Sequence, residues 1–298
     1  MKFFENNKKL SIFILIVFFV FYAYFLRAIE PNKLVDKKSI QYTNSIYMSD
    51  GRFYSYLDEY TQKLYIKLLD SIKNYKRNYK INIKNDNCTT LENCAAMGAR
   101  AMEAIIMDHP ELLQVSSYMW MYNPNEDMEN VTLRIRYAIN FSFLSKLGEL
   151  RILRIIDDIK NETKNMTEIE KIKYVYEWIG KTSEYNRIFS FSDSNQSAFT
   201  VFINHKSVCA GFAKASQLIF QNIGIESYYV TGISTGPHAF NIVKVKDKYY
   251  LYDSTVASCI SESNSQFYDG LKQSYLQTFS IDHKQMYPEL DNEEIFLS

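Results

Sequence analysis

Hydrophobic positions recur along this chain with two different periods, and one stretch has no polar face at all. Leu10 to Leu26 reads LSIFILIVFFVFYAYFL, uncharged throughout, with Lys8 and Lys9 just before it. A helix rising about 1.5 Å per residue over that run reaches the short end of what a bilayer core needs. Tyr22 and Tyr24 stand at its outer end, where aromatic rings suit the headgroup region. The residues that follow lack the alternating small side chains of a signal-peptidase site, so an uncleaved transmembrane anchor over residues 10–28 is favoured over a cleaved signal peptide. Lysines and arginines are nearly balanced across the span. The short tail, residues 1–9, leaves the large remainder outside the cytoplasm, either anchored or, alternatively, secreted after cleavage. Residues 29–52 are polar and aperiodic and read as a tether.

Beyond the tether the period becomes helical. Leu57, Tyr60, Leu64, Leu68, Ile72 and Tyr75 recur at three- and four-residue steps, which predicts an amphipathic helix. A second helix is predicted over about 91–107, ending before His109-Pro110. The period then shortens to two. Strands are predicted over 114–122 and 131–140, with Val131, Leu133, Ile135 and Tyr137 alternating against Thr132, Arg134, Arg136 and Ala138. Helical spacing returns over 143–162 and 167–184, the second placing Ile172, Val175, Tyr176 and Ile179 on one face. The pattern divides the rest of the chain into an N-terminal α+β region, residues 53–150, and a second region, residues 151–298.

Composition excludes some classes of function. The 298 residues carry 34 Lys+Arg against 34 Asp+Glu, a balance without the unopposed basic charge of a nucleic-acid binder. With 47% hydrophobic and 15% aromatic residues, five prolines and nine glycines, the chain is neither disordered nor collagen-like. Cysteines stand at 88, 94, 209 and 259. Cys88 and Cys94 are close enough for a small-loop disulfide, and two buried thiols are the equal alternative. No cysteine or histidine spacing fits a zinc site, so no metal and no cofactor is expected.

Chemistry concentrates after residue 206. In KSVCAGFAKASQLIFQNIG, Val208, Phe212, Ala215, Ile219 and Ile223 repeat at helical spacing, with Ser207 as the expected cap and Gly224 as the stop. That places Cys209 in the first turn, where unpaired amides and the helix dipole favour a thiolate. Taken alone, a cysteine there is more often a packed core residue. HAFNIVKV and KYYLYDST follow, both alternating, around a Lys246-Asp247 loop, and predict an antiparallel hairpin. With that loop, Phe240 opposes Asp253, and His238 lies on the same face one diagonal step away, within side-chain reach. A thiol, an imidazole and a carboxylate so placed are the nucleophile, base and orienter of acyl transfer.

The run VCAGFAKA, then GIESYYVTG, HAFNIVKV and YYLYDST, resembles the transglutaminase-like superfamily of papain-like thiol enzymes. The approach NQSAFTVFINHKSVC is similar to that of bacterial members, and AIIMDHPELLQV to a region often attached to their core; the resemblance covers most of residues 95–255. It implies an α+β fold in which a nucleophile helix packs on an antiparallel sheet. It also implies Cys209 as nucleophile, His238 as base and Asp253 as the residue orienting that base. Phe240 stands where the family usually has Trp, and Ser254 where many members have Pro or Val, departures that bear on the acyl pocket.

Gln196, Gly211 and Phe240 are weaker candidates for an oxyanion or substrate cleft, the backbone N–H of Cys209 being the better oxyanion donor. Asn241 faces away from His238 by strand parity. Tyr185 and Trp178 read as core or cleft-wall aromatics, His205 and His283 as surface histidines, and Cys259 as a buried thiol. The expectation is therefore a membrane-anchored extracytoplasmic thiol enzyme acting on a protein, peptide or cell-wall amide. Hydrolysis is favoured over amine transfer, since no calcium-ligand cluster stands out. The alternative is a non-catalytic surface module that keeps the fold and binds a partner in its cleft.

Overall fold

A computed structural model describes residues 51–113, 115–121, 129–138, 142–187 and 193–297. The anchor expected at 10–28 and most of the tether lie outside the described residues. Among the described residues no helix is long and apolar enough to cross a membrane.

The N-terminal part begins with a single turn, α1 (Arg52–Ser55), and the first amphipathic helix, α2 (Glu59–Lys73). Asp58 starts α2 by accepting the N–H groups of Tyr60 and Thr61, which satisfies two amides that have no partner inside the helix. Leu64, Leu68 and Ile72, one face of the expected stripe, are buried. Strand β1 (Asn78–Asn82) follows, then α3 (Leu91–Asp108), capped by Thr90, and strands β2 (Val115–Met121) and β3 (Asn130–Tyr137). The three strands form an antiparallel sheet in the order β1-β3-β2. The hydrophobic pattern predicts β2 and β3 but not β1. Within Asn78–Asn82 only Ile81 is buried, so pairing with β3 rather than a local apolar period makes it a strand. Cys88 and Cys94 are joined in a disulfide at the start of α3. Asp108, at the other end of α3, accepts the N–H groups of Phe53 and Tyr54 and the Tyr65 hydroxyl, tying α1 and α2 to α3.

The second part opens with α4 (Ser142–Glu162) and α5 (Glu168–Thr182). Thr167 and Glu170 form a reciprocal capping box at the start of α5, and Ile172, Val175, Tyr176 and Ile179 are its buried face, as the spacing predicts. Two short parallel strands, β4 (Glu184–Tyr185) and β5 (Lys206–Ser207), lead into α6 (Cys209–Asn222). The chain then forms β6 (Ser227–Ile233), β7 (Pro237–Val245), β8 (Lys248–Tyr252), the short helix α7 (Thr255–Cys259) and a last strand β9 (Ser280–Ile281). These strands make an antiparallel sheet in the order β8-β7-β6-β9, and α6 packs across β6 and β7.

Two buried clusters hold Asp50–Ser298 as one compact unit. One joins α2, α3 and the first sheet to one face of the second sheet, including Val230, Phe240 and Ile242. The other joins α4, α5 and the far side of α6 to Val243, Val245 and Tyr252. The sheet that carries the candidate chemistry is thus covered on both faces. Each fully buried Ile, Val or Phe contributes on the order of 1.5–3 kcal/mol against exposure, which makes its backbone a rigid support.

Candidate active site

Helix α6 begins at Cys209, with Val208 as its N-cap. No side chain caps it, so the role expected of Ser207 is corrected. The Ser207 hydroxyl instead donates to the Asn195 carbonyl at 2.6 Å and lies 2.9 Å from the Thr200 hydroxyl. It is committed to the loop before the helix and cannot turn to the helix amides. The Val208 N–H also donates to the Asn195 carbonyl, and the Thr200 hydroxyl to Ser197. This buried network fixes where the first turn of α6 points. Cys209 is half-buried and not disulfide-bonded, at a helix position whose N–H groups have no intrahelical acceptor. Gly224 follows α6 with φ 82°, the left-handed stop predicted for it.

The β7–β8 hairpin has the predicted register: Val245 opposes Lys248 and Asn241 opposes Tyr252, across a Lys246-Asp247 loop. Extended by one pair, that register sets Phe240 against Asp253, one diagonal from His238. The ring closes the gap, with His238 Nε2 at 2.8 Å from Asp253 Oδ2. The second carboxylate oxygen of Asp253, Oδ1, accepts the Thr255 N–H at 2.9 Å. The Asp253 N–H donates to the Gly270 carbonyl, also at 2.9 Å. A methyl group on Gly270 would lie 2.1 Å from the Asp253 carbonyl oxygen, so only glycine allows that approach. The Asp253 side chain is 3% exposed and that of His238 13%, a dry carboxylate behind an imidazole that solvent still touches.

Cys209 is the second group whose interaction reaches His238. Burial alone would pull His238 down, but the hydrogen bonds and negative charge of Asp253 and Cys209 outweigh it and push His238 up to about 10. Aromatic rings hold the imidazole: Phe240 lies nearly parallel to it at 6.0 Å between centroids, and Phe279 meets it edge-on at 5.6 Å. A thiol and a carboxylate on either side of one imidazole can pass a proton to and from a group bonded to sulfur.

The family description "Transglutaminase-like superfamily" matches residues 156–254. Those residues form a transglutaminase-like core. The match takes in α5, α6 and the hairpin to Ser254, including Cys209, His238 and Asp253. Among solved structures the chain is similar to one described as a crystal structure of a TGase, at 16% identity and a TM-score of 0.35, over 51% of this chain and 46% of that one. It is also similar to a "Putative Cysteine Protease from Cytophaga hutchinsonii", at 13% identity and a TM-score of 0.31, over 47% of this chain and 61% of that one. The chain therefore spans about half the length of the first and three-fifths of the second. No curated protein matches.

Other candidates lie at varying distances from the transglutaminase-like core's Cys209. Gln196 and Ala210 line one cavity beside α6, and the Gln196 carbonyl accepts from Lys214 Nζ. Gly211 is buried, and a methyl group there would stand 2.0 Å from Ser207 Oγ and 2.8 Å from the Ser197 carbonyl oxygen, so it lets the loop close on the helix. Asn241 is buried against α6 and donates to the carbonyls of Ala213 and Tyr228, away from His238. Tyr185 stacks on Phe212, and Trp178 packs on Phe202. His205 is exposed, whereas His109 is buried beside Tyr65 with Nδ1 at 2.6 Å from Glu111. Cys259 is not disulfide-bonded; it sits in α7, where burial pushes its thiol up. Among the described residues no group of three or more His, Cys, Asp or Glu could hold a metal ion. Sequence reasoning passed over Gly270, Phe279 and Thr255, which position His238 and Asp253. Gly270 and Phe279 have no local signal, because they reach the pair from segments beyond the hairpin, whereas Thr255 stands inside the YYLYDST run.

Proposed function

We propose that the protein is a thiol acyl-transfer enzyme acting on the amide of a peptide or glutaminyl side chain. Cys209 Sγ bonds to the carbonyl carbon as a thiolate while His238 holds the proton. The carbonyl oxygen gathers negative charge at the amide groups of the first turn of α6. The C–N bond breaks as the imidazolium gives its proton to the leaving amine, and a thioester remains on Cys209. Water or a second amine then adds to the thioester carbon, passes its proton to His238 and releases Cys209, giving hydrolysis or transfer respectively. Asp253 keeps His238 in the orientation both halves require.

The observation that carries this reading is the His238 imidazole 2.8 Å from the buried Asp253 carboxylate, with Asp253 and Cys209 together pushing it up to about 10. A cationic imidazole beside a thiol is the surrounding that favours a reactive thiolate. We place the enzyme outside the cytoplasm, anchored through residues 10–28 and acting on protein or wall peptides; the uncharged run and the Cys88–Cys94 disulfide support that placement.

The test is labelling by a thiol-directed acyl probe in a Cys259→Ser background, which leaves Cys209 the one thiol outside the disulfide. Rapid labelling that Cys209→Ala abolishes and His238→Ala slows is the expected result. Equal labelling with and without Cys209 would remove the proposal.

A further inference from the structure

Beside the helix that starts at Cys209 lies a cavity of about 280 Å³ whose polar groups the acyl-transfer chemistry does not use. Its walls come from α3, β2, α6 and β6, with Ile106, Met107, Tyr118 and Tyr229 supplying apolar surface. Lys214, on α6, is 8% exposed and lines it. Its ammonium has three donors; one goes to the Gln196 carbonyl at 3.0 Å, and the charge stands 5.9 Å from the centre of the Tyr229 ring. Among the described residues no carboxylate pairs with it, and the influence that opposes its desolvation is Cys209, which raises it. A cation buried without a carboxylate partner is costly, and desolvation pulls Lys214 down to about 8.

Two more residues with hydroxyl groups line the same cavity. Ser116 and Ser117 are consecutive on β2 yet both line it, although neighbours on a regular strand point to opposite faces. The register explains this: Val115 opposes Tyr137 and Ser117 opposes Arg136, so a bulge adds one residue to β2 at that point. Both hydroxyls are buried with no hydrogen-bond partner, and Ser116 is 3% exposed. Glu103, Asp282 and His283 also line the wall; burial pushes Glu103 up, His283 and Arg100 oppose this, and Asp282 adds to it.

We infer that this cavity is a substrate subsite for a carboxylate close to the attacked carbonyl, held by Lys214 with the hydroxyls of Ser116 and Ser117. An anion there gives Lys214 a carboxylate partner and both serines an acceptor, through charge-assisted bonds. The same positions offer a neutral amide one strong partner fewer and leave the ammonium uncompensated. The inference rests on Cys209 as the attacking group, and it narrows the substrate to acidic peptides: those with a Glu or Asp side chain, or a free chain terminus, next to the amide.

The experiment measures binding to the full chain carrying Cys209→Ala, so that no turnover is needed. The probes are N-acetyl-Glu amide, N-acetyl-Gln as the free acid, and N-acetyl-Gln amide. At least one acid is expected to bind about tenfold more tightly than the amide, and which one does so identifies the source of the carboxylate. Lys214→Met should erase the preference. Ser116→Ala with Ser117→Ala should reduce it several-fold, a second reading that holds if Lys214→Met fails to fold. Equal or absent binding of all three probes, or a preference that survives the serine pair, overturns the subsite. If the preference stands while wild-type Cys209 takes no acyl probe, the subsite holds and the enzymatic reading alone fails.

Discussion

Gly270→Ala tests whether Asp253 is held by the backbone behind it. The new methyl carbon would lie 2.1 Å from the Asp253 carbonyl oxygen and 2.8 Å from Tyr176 Oη. An ordinary C···O contact needs about 3.3 Å, so the two segments must part by roughly 1 Å. The same movement stretches the 2.9 Å hydrogen bond from the Asp253 N–H to the Gly270 carbonyl. Overpacking at a buried backbone costs about 1–3 kcal/mol and a weakened hydrogen bond about 1 kcal/mol more, so stability should fall by about 2–4 kcal/mol. The catalytic effect should be larger in proportion, because a displacement near 1 Å costs about a hundredfold in rate when it moves a positioned group. Gly236→Ala is the control: no atom lies within 4 Å of its methyl position, so it loses a glycine without a clash. Thermal denaturation measures the first effect and the rate of Cys209 acylation the second. A Gly270→Ala protein that melts with wild type and acylates at an undiminished rate would refute the argument that this contact sets Asp253.

The remaining predictions concern charge and covalent closure. Because Asp253 raises His238 toward 10 against the pull of burial, Asp253→Asn should move the alkaline fall of the acylation rate to lower pH; a fall that stays in place in a pH series contradicts the pairing. Reducing the Cys88–Cys94 disulfide, or replacing both residues by Ser, should cost about 2 kcal/mol for so short a loop, seen as a lower denaturation midpoint with reductant. Phe240→Ala should cost about 3–5 kcal/mol from its buried ring and slow acylation as well, since the ring lies against His238; a stable variant with full rate would show that the ring does not hold the imidazole.

Local pattern carried much of the fold. The helices α2, α3, α4 and α5 fall within a few residues of their predicted spans because each has a long apolar stripe and, at α2, α3 and α5, a side-chain cap. The β7–β8 register was legible because alternation on both strands and a two-residue loop leave one pairing that buries the apolar set. Strand β1 was not legible, since Asn78–Asn82 offers one buried residue and owes its shape to β3, some fifty positions away. The cap of α6 was misread because a serine before a helix has two ways to bond. Here the loop carbonyl of Asn195 took its hydroxyl first.

The order of the chemistry was written in local spacing: a cysteine at a helix start, then a histidine and an aspartate on one face of a hairpin. Helical and strand periods are properties of neighbouring residues, and they fix those placements without reference to the rest of the chain. The tertiary structure decided the meeting of Cys209 with His238, the closeness of Gly270 to Asp253, the Phe279 ring against the imidazole, and the cavity that joins Lys214 to Ser116 and Ser117. Those contacts join segments well separated along the chain, and distance through space is set by how two cores pack rather than by spacing along the chain.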